Sequence, residues 1–522
     1  MEASSTIPWL LCISVATFVF YKVCYSGQDR SQGSSTNSRL PPGPTPIPLL
    51  GNIFHLQGEL HHALARLAGL HGPVFSLKLG ATTCVVASSA ACARDVLQRH
   101  DQILSAPSVT DAARALSNHE HSFIWLPSTS PLWRRLRALS TTHLFSPHGL
   151  EATRAVREAK VRELVGFLRG RAGEAVQVGR VVRSGMLNLV SNVLLSQDVA
   201  DLTSDAGQVQ ELETMIRDIL DELTKPNLSD LFPALTSLDL QGRRRRTAKR
   251  ITRFFDFFDP IIKRRLNVGG ERKEDFLDVL LQLHSTDQLS IQTIKSFLLI
   301  CYFIICSLRV DQDSQALIYP DFLRTDTNSL TVEWTMAELL RQPAIMSKVR
   351  TELEEVLGSK QHPDESDISS LPYLHTVVME TLRHHPPSPL LMPRKAMAEG
   401  AEVGGFAVPK GAMVIINLWA IMRDPATWTN PEEFVPERFI KVDMDFRGMD
   451  RFDFMPFGAG RRACPGMPMA TRSVMLILAS LLHAFEWRLP EGMRPCDVDI
   501  RDRFGTSLNM VTPLKAMPVS LW

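Results

Sequence analysis

Phe457-Gly458-Ala459-Gly460-Arg461-Arg462-Ala463-Cys464-Pro465-Gly466 sets one cysteine in a glycine-punctuated loop, directly ahead of an apolar helical pattern from Met467 to Leu482. Small residues around a thiolate let backbone N–H groups approach the sulfur, and a helix N-terminus behind it favours the anion. Gly458, Gly460 and Gly466 supply that room. A single cysteine in a turn is more often a buried structural residue. Here the spacing Phe-x-x-Gly-x-Arg-x-Cys-x-Gly is complete, and it selects a metal-ligating thiolate over that reading.

Composition bounds the partners. The 522 residues are 44% hydrophobic and 22% charged with a net charge of +1, so the basic excess of a nucleic-acid binder is missing. Eight cysteines, Cys12, Cys24, Cys84, Cys92, Cys301, Cys306, Cys464 and Cys496, show no paired ligand spacing. That argues against a zinc site built on cysteines and against a disulfide framework, and it places the body of the chain in a reducing compartment.

Ile7 to Tyr25 is a nearly continuous apolar run, close to the ~20 residues of a membrane-spanning helix. It lacks the basic n-region and cleavage site of a signal peptide, and Glu2 precedes it while Lys22, Arg30 and Arg39 follow. Residues 1–26 are therefore expected to be a single-pass anchor with the body on the cytosolic side. The sequon Asn227-Leu228-Ser229 would then stay unglycosylated. Residues 27–48 are a polar and proline-rich linker, stiffened by Pro41-Pro42-Gly43-Pro44-Thr45-Pro46-Ile47-Pro48. Residues 49–522 form the remaining domain.

His61 to Leu70 has helical periodicity, and Val74 to Ser88 reads as two strands turning at Gly80-Ala81. A helix is expected from Pro131, with Trp133 and Arg137 on one face. Gly242-Arg243-Arg244-Arg245-Arg246 and Lys249-Arg250 form a charge run, expected as a solvated helix end, with contact to anionic lipid as the alternative. Glu380-Thr381-Leu382-Arg383 puts a carboxylate and a guanidinium at i,i+3, where a bidentate pair can form.

The loop around Cys464 resembles the signature of the cytochrome P450 superfamily of heme-thiolate monooxygenases, and the resemblance extends from Pro41 to Trp522. It implies a mainly α fold with a small β region and a heme b (iron protoporphyrin IX) ligated by Cys464, with Phe457 packed near the thiolate. Trp133, Arg137, Arg394 and Arg462 would meet the heme propionates, and Glu380, Arg383 and Arg438 would lock the heme-side core. Electrons would come from NADPH through a separate cytochrome P450 reductase, since no flavin or dinucleotide stretch is present. The substrates would be O2 and a small hydrophobic molecule. The Pro41-Pro42-Gly43-Pro44 hinge, Asp275-Phe276-Leu277-Asp278 and Asp326-Thr327-Asn328-Ser329 are similar to plant microsomal members of the terpenoid-hydroxylase clade, which implies the endoplasmic reticulum membrane as location.

One stretch departs from the family. Its oxygen-activating helix carries Ala/Gly-Gly-x-Asp/Glu-Thr, from which Asp326 and Thr327 would deliver protons, yet Leu323 and Arg324 stand at the small-residue positions. The first half of that helix is expected to end at Leu298-Leu299, and the 25 residues from Ile300 to Arg324 occupy a much shorter junction of the family. Pro320 cannot continue a helix without a cost of ~3 kcal/mol or more. The surplus is either an inserted loop between two half-helices or translated intron. The second reading is preferred, because Cys301 to Phe322 carries no cap or helix logic the family needs; under the first, the chain binds heme without monooxygenase activity. Sequencing the transcript across this junction tests the preference: the mature message should lack codons 300–324, and finding them there sinks the intron reading.

Overall fold

The computed structural model describes residues 39–199, 208–267, 273–305, 327–440, 446, 451–505 and 507–521. The expected anchor, most of the expected linker and Asp326 lie outside the described residues. The helices that position the site are α1 (Leu60–His71), α2 (Pro131–Ser140), α3 (Arg154–Arg169), α4 (Val178–Leu195), α5 (Arg243–Leu266), α6 (Ile291–Ile305), α7 (Thr327–Arg341), α8 (Pro372–His384) and α9 (Met467–Ala484). Their starts follow ordinary capping chemistry. Ser130 accepts from the Trp133 N–H with Pro131 at the first helical position of α2, and α8 likewise begins on Pro372.

A five-stranded sheet lies beside the helices in the order β1 (Val74–Leu79), β2 (Thr82–Ala87), β5 (Met413–Ile416), β4 (Arg394–Lys395) and β3 (Ala106–Pro107). β2 and β5 run parallel with Val85 opposite Val414; the other pairs are antiparallel. The hinge prolines feed this sheet, since Ser76 donates from its backbone N–H to Pro42 O at 2.7 Å. Gly43 packs so tightly there that a Cβ would lie 2.0 Å from Ser76 O, which excludes any side chain.

α4, α7, α8 and α9 form the centre. Ser329 to Leu340 of α7 are all buried, so every polar side chain needs an internal partner. Trp334 Nε1 donates to Leu508 O at 2.9 Å, Glu333 accepts from the Leu514 N–H at 3.0 Å, and Thr335 bonds Thr381 Oγ1 at 3.1 Å. Among the described residues α9 alone is long and apolar enough to cross a membrane, and it is a core helix, 72% buried.

Two expectations change. α6 runs through Ile305, beyond the end expected at Leu298-Leu299, because Ile300 and Tyr302 are buried and the Tyr302 hydroxyl sits 2.9 Å from Ser191 Oγ on α4. The charge run is not simply solvated: Arg243, Arg246 and Arg250 all reach the buried Glu222, Arg244 pairs with Asp111 and Arg245 with Asp239. Helical spacing alone could not reveal acids supplied by other segments. Tyr302→Phe should lower the thermal midpoint by the equivalent of about 1–3 kcal/mol, the cost of a lost buried hydrogen bond; an unchanged midpoint would place residue 302 outside the core.

Candidate functional site

Cys464 stands three residues ahead of α9. Its backbone N–H donates to Phe457 O at 2.9 Å, and the Gly458 N–H donates to Met455 O at 2.8 Å, which closes the loop on itself. Gly460 has φ +71°, and a Cβ there would lie 2.3 Å from Leu97 O. No other residue fits, so the loop is held against the segment before Asp101, which also pairs with Arg461. Phe457 is half-buried and meets the Phe446 ring edge-on at 6.4 Å. Cys464 has an accessible surface, and desolvation of its thiol is the largest influence on its pKa, which it raises. Backbone N–H groups of Gly466 and Met467 and the Arg137 guanidinium act the other way and favour the thiolate.

Three arginines converge beside this loop. Arg137 on α2 donates to Ala463 O at 2.8 Å; Arg462 donates to Ser105 O at 2.6 Å, to Ile124 O at 3.2 Å and to Leu126 O; Arg394 on β4 reaches Ser105 O at 3.4 Å. Among the described residues none of the three pairs with a carboxylate. The Arg462 guanidinium lies 5.3 Å over the buried Trp133 ring. Burial pushes Arg394 down to about 10, and burial with repulsion from Arg394 and Arg137 pushes Arg462 down to about 9. Carbonyls offer dipoles but no counter-charge, and the buried Arg394 Nε has no partner. This donor set fits a bound dianion next to a metal-ligating thiolate, which is what a heme with two propionates presents.

Glu380 and Arg383 on α8 are fully buried and paired in bidentate geometry at 2.8 and 2.9 Å. Arg438 Nε and the Val435 N–H also donate to Glu380 Oε1, at 3.0 and 2.8 Å. Arg383 further donates to Met422 O and Glu433 O, at 2.9 and 3.1 Å. Thr327 is the first residue of α7 and half-buried.

The Cytochrome P450 family model matches residues 41–303 and 325–514. The chain belongs to the cytochrome P450 family. As a family member it is a heme-binding monooxygenase. It is 46% identical over 517 residues to Cytochrome P450 76M5 of Oryza sativa subsp. japonica, with 98% of each chain covered. From the same organism, Oryzalexin E synthase is 44% identical over 100% of this chain and 99% of its own, and Ent-cassadiene C11-alpha-hydroxylase 1 is 43% identical over 98% of each. The family match omits 304–324, a later start than the Ile300 expected for the surplus segment.

Sequence reasoning missed a buried triad in this P450. His385 Nε2 lies 2.7 Å from Glu338 Oε1, His384 Nδ1 lies 3.1 Å from His385 Nε2, and the Trp334 and His385 rings stack at 3.9 Å. The His384-His385 pair was visible beside Arg383, but nothing in chain order joins it to Glu338. Burial pushes His384 down to about 4 and lowers His385, so both rings are neutral in the fold. Burial opposes ionisation of Glu338, but hydrogen bonds from the two imidazoles outweigh it and hold the carboxyl well below the usual range.

Two measurements follow from this geometry. Arg383→Ala leaves Glu380 buried without its bidentate partner and should cost about 3–5 kcal/mol, read as loss of folded, heme-loaded protein on expression. An unfolded imidazole titrates near ~6.5, so acidification from about 6.5 to 4 protonates the unfolded chain before the folded one and removes stability. Urea midpoints across that range should fall for the natural chain and fall less for His384→Leu; parallel curves would exclude the triad as the acid-sensitive element.

Proposed function

We propose that this P450 hydroxylates a small terpenoid-type hydrocarbon with O2, drawing NADPH electrons through a separate cytochrome P450 reductase, as an enzyme anchored by residues 1–26 in the endoplasmic reticulum membrane with its body cytosolic. The observation that carries the reading is the Cys464 loop beside three arginines that have no counter-ion among the described residues. Relatives whose names concern ent-cassadiene and oryzalexin E support the substrate class.

Bound heme supplies the iron chemistry that activates dioxygen. The chain's part is to hold and shield that centre. Cys464 would supply the thiolate that holds the iron, favoured against burial by the Gly466 and Met467 N–H groups and by Arg137. Arg137, Arg394 and Arg462 would neutralise the propionates, with the Trp133 indole N–H beside them. Phe457 shields the sulfur. Arg137 also joins the two halves of the site, because it donates to the carbonyl of the residue just before the thiolate. Glu380, Arg383 and Arg438 act as an architectural lock, fixing residues 433–438 against α8. Thr327, the first residue of α7, would serve with Asp326, which lies outside the described residues, as the proton-supplying pair.

A second reading follows from the interrupted family match at 304–324: a heme-binding protein whose distal side is blocked and does not turn over. The full chain, reduced under carbon monoxide, should give a thiolate-type Soret band, and Cys464→Ser should abolish it. With reductase and NADPH, hydroxylated product from a terpenoid panel supports the monooxygenase. A normal band with no turnover supports the second reading, and absence of heme overturns both.

A further inference from the structure

A second group of metal-binding side chains lies away from the cysteine loop. His61 and His62, adjacent on α1, face Asp502 on β6 (Asp502–Phe504), the first strand of the C-terminal hairpin with β7 (Leu508–Met510). His61 Nε2 is 3.5 Å from Asp502 Oδ2 and His62 Nε2 is 3.4 Å from Oδ1. The imidazole centroids are 4.0 Å apart, and one ligand atom from each of the three residues falls within 4.8 Å of the others.

The distances decide what this group suits. A charge-assisted N–H···O bond settles at about 2.7–2.9 Å, so both contacts are too long to be good hydrogen bonds. Ligands on a tetrahedral ion with bonds of about 2.0–2.1 Å stand about 3.3–3.4 Å apart, close to the 3.5 and 3.4 Å that separate the two histidine Nε2 atoms from the Asp502 oxygens. His61 gives the independent sign: it is fully buried, and among the described residues its ring nitrogens have no polar partner closer than Asp502 at 3.5 Å. Burying an imidazole without partners is costly, and a ligated metal removes part of that cost. The His62 side chain is 40% exposed and leaves a path for entry. Glu59, at the start of the same helix, adds a second carboxylate, already tied to β6 by the Phe504 N–H at 2.6 Å. Arg423, the neighbouring cation, directs its guanidinium to the His384 carbonyl and Glu432. The other such cluster, Glu338 with His384 and His385, differs: its 2.7 Å contact is an ordinary hydrogen bond and needs no ion.

We propose that His61, His62 and Asp502 form a site for one divalent transition-metal ion of the Zn2+ type, clipping α1 to the C-terminal hairpin. Two imidazoles and a carboxylate are a borderline donor set that suits such an ion and leaves a fourth position for water. The clip reaches the catalytic core at one remove, since Leu508 of β7 accepts from Trp334 on α7 and donates to Pro387 O, both at 2.9 Å.

The test uses the heme-loaded full chain after chelator treatment, titrated with Zn2+ by calorimetry and measured by zinc K-edge absorption. One Zn2+ per chain is expected, with nitrogen and oxygen ligands, imidazole scattering and a raised thermal midpoint. His62→Gln and Asp502→Asn should each weaken binding about tenfold or more and remove the rise in midpoint. Because His62 is partly exposed, H62Q should keep the natural circular dichroism and carbon monoxide spectra, so its loss of zinc reports the site and not the fold. Absence of stoichiometric binding, sulfur in the coordination shell, or affinity in both variants unchanged from the natural chain overturns the proposal.

Discussion

Glu380 is the point on which the heme-side half of this P450 rests. Its carboxylate has no access to water, and its two oxygens accept from Arg383, Arg438 and the Val435 backbone. A buried carboxylate tolerates no missing partner, because desolvation costs several kcal/mol unless donors replace the lost water. That requirement binds α8 to the segment around residues 433–438, which lies in the chain just ahead of the cysteine loop. The arginines are satisfied in turn by backbone carbonyls of Met422, Thr429 and Glu433. The network is therefore closed, and its role is to fix backbone positions.

The arginines beside Cys464 follow the opposite logic. Arg137, Arg394 and Arg462 are drawn together by carbonyl acceptors on Ala463, Ser105, Ile124 and Leu126, which leaves their charges uncompensated. Burial first, and repulsion from Arg394 and Arg137 second, lower the pKa of Arg462. A closed network stabilises by itself; an open one stores binding energy for an anion. The contrast separates architecture from recognition without appeal to the position of either in the chain.

α7 is buried from Ser329 to Leu340 and tied to its neighbours by Trp334, Thr335, Glu333 and Glu338. Its contacts with Leu508 and Leu514 bring the C-terminal hairpin and strand into the same core that holds α8. The hairpin is therefore a direct neighbour of α7, which gives a clip at His61, His62 and Asp502 a mechanical route inward.

Much of this was legible in one dimension. The cysteine loop, the i,i+3 pair Glu380–Arg383 and the Trp133–Arg137 spacing are local patterns, set by glycine geometry and helical period, and the strands at 74–79 and 82–87 follow from alternation. Partners separated by long stretches of chain were not legible. Glu222 gathers three arginines of a run that looked solvated, Tyr302 extends α6 by bonding Ser191, and Glu338 meets the adjacent His384 and His385, from which sequence order separates it. By itself the sequence determined the family and the helical period and singled out Cys464 as the expected ligand, because those readings depend on neighbours along the chain. Only the tertiary structure decided which charges are paired and which are left open, because pairing a buried charge depends on what other segments bring within about 3 Å of it.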